Sequence, residues 1–181
     1  ITYYTKATTP PDTANWVRSV TLSERHLLGH FGQYGSVETD GTDLFIRTYS
    51  STKRLYRFSM ATHQIEDSVT LVQSGSGTGY VGGGLWINDL SASPYRLFKY
   101  NYVAASVVNN SPVLTNNAFA MTGSGGKVWL LTTNMELQTF DPVTNTFETK
   151  ASFPYLQYFL VGGGYLDIAL DGNTLYFSSY Q

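Results

Sequence analysis

The sequence predicts an all-β chain made of four repeats of one four-stranded antiparallel unit. Three observations predict it. A Gly turn followed by a large apolar triplet recurs as Asp40-Gly41-Thr42-Asp43-Leu44-Phe45-Ile46, Gly82-Gly83-Gly84-Leu85-Trp86-Ile87, Gly125-Gly126-Lys127-Val128-Trp129-Leu130 and Asp171-Gly172-Asn173-Thr174-Leu175-Tyr176-Phe177. A second column pairs Trp16 with Leu22, Ile65 with Leu71, Val107 with Leu114 and Phe147 with Phe153. Finally, only 13% of the 181 residues are charged, while 15% are aromatic, with 14 Tyr and 17 Gly. Polarity carried by hydroxyls and amides, beside many β-branched and aromatic side chains, suits half-buried strands joined by tight turns.

Each element of the unit follows from its local pattern. The short strand before the Gly turn is flanked by small residues. The next strand is the apolar triplet, continuous because both of its faces are buried. The third strand alternates, as in Leu55-Tyr56-Arg57-Phe58, Leu97-Phe98-Lys99-Tyr100 and Leu137-Gln138-Thr139-Phe140, with a Ser, Asn or Asp turn behind it. The fourth, outer strand starts at Ile65, Val107 or Phe147. Four strands in roughly 40–45 residues is the signature of a propeller blade.

The ends decide the number of blades. Trp16 opens an outer strand before any Gly turn, and the chain stops one strand after Asp171-Gly172. The N-terminus therefore has two strands without inner partners, and the C-terminus has two inner strands without outer ones. Joined, they complete one blade, so that residues 1–181 form a single compact four-bladed β-propeller whose N- and C-terminal strands close the same blade. Closure removes exposed sheet edges. A fragment of a larger propeller, or strands exchanged between protomers, would satisfy the same count.

The third unit, Val128 to Phe147, resembles a kelch-type blade. Its Phe140-Asp141-Pro142-Val143-Thr144-Asn145-Thr146-Phe147 segment matches the turn that joins the two outer strands in that family. The other units keep only pieces, and the double Gly that usually ends a kelch inner strand is absent from most. The resemblance implies propeller geometry and protein or glycan binding, and it carries no catalytic residue across.

Several chemistries are excluded or disfavoured. Without cysteine there are no thiolate metal sites, disulfides or thiol nucleophiles. A net charge of −2 without Lys/Arg clusters argues against nucleic acid. No apolar run approaches the roughly 20 residues needed to span a bilayer. The chain begins with Ile1 rather than Met, as in a processed or trimmed form. His26 and His30 lie four apart in a Gly-containing loop without the Glu of a hydrolytic zinc site. The Gly clusters lack the helix start and Lys-Ser/Thr of a phosphate loop; crowding of inner strands near the axis accounts for them. Asp141 and Asp171 are turn residues. Asp167 falls on the innermost strand of the last unit and faces a central channel, where it could bind a cation or hold water, water being the expected partner. Asn109-Asn110-Ser111 is a glycosylation sequon weakened by Pro112. No Ser-His-acid arrangement, cofactor motif or metal set is legible.

The remaining lead is one end of the blades. Two long connections, residues 23–36 and 154–164, open there and carry Gln33, Tyr34, Tyr155, Gln157 and Tyr158. Connections between second and third strands add Tyr49, Asn88, Asp89 and Asn134. Loops on a rigid scaffold are where binding usually resides, and aromatics with amides and carboxylates suit sugars or protein surfaces. The expected function is a noncatalytic binding module on an extracellular or virion surface, with these nine residues contacting a glycan or surface protein. The alternative is a structural subunit of a fibre, coat or capsid, associating with its own copies through Tyr-rich surface.

Overall fold

The structure, a computed structural model, describes residues 2–6, 16–21, 34–48, 53–75, 77–91, 93–154 and 165–180. The chain divides into two compact units, Ile1–Gly32 and Gln33–Gln181. Within the first, β1 (Thr2–Lys6) and β2 (Trp16–Thr21) form an antiparallel hairpin that runs from Lys6 opposite Trp16 to Thr2 opposite Thr21, with a bulge at Tyr3/Tyr4.

The second unit contains three four-stranded antiparallel blades and a hairpin. Blade one is β3 (Tyr34–Thr39), β4 (Asp43–Thr48), β5 (Arg54–Ser59) and β6 (Gln64–Thr70). Blade two is β7 (Thr78–Val81), β8 (Gly84–Asn88), β9 (Leu97–Asn101) and β10 (Ser106–Asn110). Blade three is β11 (Ala118–Ser124), β12 (Lys127–Thr132), β13 (Glu136–Asp141) and β14 (Thr146–Ser152). The hairpin pairs β15 (Tyr165–Asp171) with β16 (Thr174–Tyr180). In every blade the strands are ordered as they occur in the chain. All the long elements among the described residues are strands, and the fold is that of a β-propeller.

Turn chemistry sets this topology. Gly82 and Gly83 both take left-handed φ (57° and 69°), as do Gly125 and Gly126 (58° and 75°), which is what a two-residue hairpin between twisted strands requires. The turns joining third to fourth strands are built alike in all three blades. Asp141 Oδ1 accepts from the Val143 and Thr144 amides (2.8 and 3.2 Å), Asn101 Oδ1 from the Ala104 amide (2.9 Å), and Ser59 Oγ from the Thr62 amide (3.3 Å). Each turn ends on a left-handed residue: Asn145, Ala105 or His63. Asp141 is thus a turn residue, and those two amides hold its carboxyl below the usual range.

The apolar triplets explain the core. Phe45 packs with Leu85 and Ile87 of the next blade, and Trp86 with Val128 and Leu130 of the one after. Half-buried Trp129 packs against the cluster of Ala120, Leu131, Met135, Leu137 and Ile168, as do Leu175 and Phe177 of β16. The central aromatics Phe45 and Trp86 therefore point to the following blade, whose triplet receives them with its flanking residues. Crowding of the inner strands is visible at Gly123, where a Cβ would overlap the Tyr80 backbone.

Candidate functional site

At the loop-rich end, the side chain that organises the described residues is Arg47, near the end of β4. It is fully buried. Its Nη1 donates to Gly77 O (2.8 Å) and Asn88 Oδ1 (2.9 Å), and its Nη2 to Gln73 O (3.1 Å) and Asn88 O (3.0 Å). Asn88 Oδ1 also accepts from the Gly77 amide (3.0 Å), and its Nδ2 donates to Ala118 O at the start of blade three. One guanidinium thus ties blade one to the β6–β7 connection and, through Asn88, to blade three. Burial lowers its pKa to about 9, and the charge of Asp89 acts in the opposite direction.

The expected ligand contacts fare differently. Asp89 is half-buried, and its Oδ1 accepts from the Ser74 amide (3.1 Å) and from the amide and hydroxyl of Ser91 (2.9 and 2.7 Å). Asn134 is exposed and accepts from the Thr132 hydroxyl. Asn88, expected to face a ligand, is only 1% exposed and committed to the Arg47 cluster, because a buried guanidinium needs fixed acceptors. The Tyr34 backbone lies on β3 opposite Thr48. Gln33, Tyr49, Tyr155, Gln157 and Tyr158 lie outside the described residues.

Two further clusters escaped the sequence reading. On the inner strands, Glu38 of β3 is 8% exposed. Its carboxylate accepts from the Tyr80 amide on β7 (3.4 Å) and the Gly123 amide on β11 (3.3 Å), so one side chain links three blades. Burial pushes its pKa up to about 7, against hydrogen bonds from Thr122, Tyr80 and Gly123 that lower it; the charge of Asp167 on β15 adds to the rise. Asp167 is itself raised to about 6 by burial. Among the described residues no group of three or more His, Cys, Asp or Glu could hold a metal.

The other cluster is a cavity of about 530 Å³ between blades one and two, at the end away from Arg47. Phe45 and Tyr80 stack within it (centroids 5.8 Å, interplanar angle 6°), and Tyr102 meets Phe45 edge-on at 5.9 Å. Lys99, Tyr100 and Asn101 of β9 complete the wall with the β7–β8 turn. The sequence signals were present but faint: Arg47 is the one charge following an apolar triplet directly, Glu38 the one acid on its inner strand, and Lys99-Tyr100-Asn101-Tyr102 an unusually polar-aromatic strand end.

No family model matches this chain, and no curated protein does. Solved structures do. A glutaminyl cyclase from Myxococcus xanthus superposes with a TM-score of 0.59 at 16% identity, over 80% of this chain and 66% of that one. Hydrazine synthase from Kuenenia stuttgartiensis gives 0.52 at 12%, over 82% and 46%. BamB from Moraxella catarrhalis gives 0.51 at 12%, over 79% and 39%. This chain therefore spans less than two thirds of each of these proteins. At such identities the likeness shows the propeller fold alone.

Proposed function

We propose that this chain is a noncatalytic binding module of an extracellular or virion surface that recognises a glycan or a surface protein through the loop-rich end. The observation that carries this reading is the Arg47–Asn88 clamp. It fixes the bases of the β6–β7 and β8–β9 connections with charge-assisted bonds, so the loops beyond stand on a rigid platform, as preorganised binding requires. Asp89 and Asn134, with Tyr34, Tyr155 and Tyr158 from the long connections, are the contacts proposed. The test is an array of glycans and cell-surface proteins probed with the chain and with its Asp89→Ala and Asn134→Ala variants. Retention of any ligand that both variants weaken supports the reading, and the absence of any ligand whose retention they weaken sinks it.

A structural subunit is the second reading, favoured by β10. This blade-edge strand is exposed along its whole length, with Val107 at 36% and Val108 at 55% exposure. Uncovered apolar edges recruit further strands. Sedimentation at low and high concentration separates the two, since only a subunit self-associates.

Four blades of kelch-like type, closed by β1–β2 with β15–β16, account for the strand count and for the recurring third-to-fourth-strand turn. Deleting residues 1–4 should then lower stability by several kcal/mol, on the order of half of a typical domain's total. Unchanged thermal unfolding would refute closure.

A further inference from the structure

We infer that the cavity between blades one and two binds the hydroxyl-bearing ring of a neutral saccharide. Its volume, about 530 Å³, is that of a ligand pocket. The walls are aromatic: Phe45, Tyr80, Tyr100 and Tyr102 come from two blades. Such faces accept the C–H side of a sugar ring, while the ring's hydroxyls need partners at its edge. Those partners are present. The Lys99 stem lies over Gly84, where any side chain would displace it, and the ammonium is free of protein carboxylates among the described residues. Asn101 spends its Oδ1 on the Ala104 amide, which leaves its NH2 to donate. Tyr100 is 4% exposed and adds its ring rather than its hydroxyl, which is shut off from the cavity and has no partner among the described residues.

The charge pattern selects a neutral ligand over an acidic one. Among the described residues no carboxylate lines the cavity, but the charges of two reach its rings. Burial, and then the charge of Asp40, raises the Tyr80 phenol; burial, and then Asp67, pushes Tyr102 up to about 12. The charges of Asp40 and Asp67 work against the attraction that the Lys99 ammonium has for an anion. Arg57, whose guanidinium lies 5.8 Å from the Tyr102 ring centre, is paired with Glu66 (2.9 Å); its charge acts against that of Asp67 at Tyr102, but less strongly.

The site lies where β7 turns into β8 and β9 into β10, at the opposite end of the blade from Asp89, so it stands independently of the loop-rich reading. The test is an array of matched neutral and acidic glycans, together with a titration of methyl β-glucoside followed by amide NMR. Lys99→Met keeps the aliphatic stem, and Asn101→Asp keeps the turn acceptor. Neutral glycans should be retained, the glucoside should shift the Gly83, Gly84 and Asn101 amides, and each variant should weaken binding roughly tenfold. Asp89→Ala and Asn134→Ala should leave this binding unchanged. Retention of acidic glycans only, absence of any neutral ligand, or indifference to Lys99→Met and Asn101→Asp would overturn the assignment.

Discussion

The two interfaces on either side of blade two are built from the same strand positions and differ in what they contain. Between blades two and three the contact is apolar: Val81, Trp86, Leu97, Met121, Val128, Leu130 and Phe140 are all buried, and Trp86 meets Phe140 edge-on at 4.8 Å. Between blades one and two, the same geometry frames a buried guanidinium at one end, an unpaired phenol and a cavity at the other, and a carboxylate bridge near the axis. Apolar packing dominates the first interface, where Asn88 Nδ2 also donates to Ala118 O. The polar groups of the second are therefore additions to the architecture, and they mark the place where ligand chemistry is to be sought.

The largest expected effect lies in the apolar interface. Trp86→Ala removes a 2%-exposed ring from close packing and should cost about 3–5 kcal/mol in denaturant unfolding. Its indole N–H has no partner among the described residues, so little hydrogen bonding is lost with it. A loss below about 1 kcal/mol would mean that this contact does not hold the blades.

Proton linkage comes next, and it belongs to the polar interface. The ordinary Glu38 value of 4.5 rises to about 7 on folding. Between these values the unfolded chain has lost its proton and the folded chain has kept it. The stability Glu38 contributes is therefore complete below pH 4.5 and disappears as pH rises through 7. Asp167 acts in the same sense, between 3.8 and about 6. Thermal unfolding should show higher stability at acidic than at mildly alkaline pH, by about 3 kcal/mol from Glu38. Glu38→Gln should remove that part of the slope and leave the part due to Asp167. A slope unchanged in Glu38→Gln would show that the bridge does not titrate.

Arg47→Met should cost about 2–3 kcal/mol. Replacing a buried ion by an apolar side chain is often harmless when its partners leave with it. Here the partners are the backbone carbonyls of Gln73, Gly77 and Asn88 and the Asn88 Oδ1, which stay behind without the guanidinium; Gly77 O and Asn88 Oδ1 each keep one amide donor. Equilibrium unfolding of this variant, compared with Trp86→Ala, measures directly how far the polar interface depends on hydrogen bonds rather than packing. A neutral or stabilising result would show those carbonyls finding water instead.

The contrast between the interfaces also explains what the sequence could reveal. The apolar triplets announced their strands and the pairing of faces, because a strand buried on both sides has no polar alternation to disguise it. The Gly pairs and the Ser, Asn and Asp turn residues announced the hairpins, because those conformations admit few residue types. Arg47, Glu38 and the Lys99–Tyr102 segment read as ordinary surface residues. The burial of Arg47 and Glu38 arises from contacts some 30 to 85 residues away in the chain, such as Arg47 with Gly77 and Asn88 or Glu38 with Gly123. Local pattern carries no trace of such pairings. Asn88 was misplaced for the same reason: its position at a strand end was legible, but the buried cation that claims its side chain was not.

The smallest effect on stability is expected where the effect on binding should be greatest. Asn134 is exposed, and its one described bond comes from the neighbouring Thr132 hydroxyl. Asn134→Ala should therefore shift unfolding by no more than about 0.5 kcal/mol. Tyr155→Ala and Tyr158→Ala, in the long connection after blade three, should do the same if those rings serve a ligand rather than their own loop. Tyr brings a rigid apolar ring and a polar tip at little entropic cost, so its loss should appear in the dissociation rate. Under the assembly reading the same three substitutions would instead abolish self-association, visible as a concentration-independent sedimentation profile. Large destabilisation by Tyr155→Ala and Tyr158→Ala would place both rings in a core, and the loop-rich end would then lose its claim to a partner of either kind.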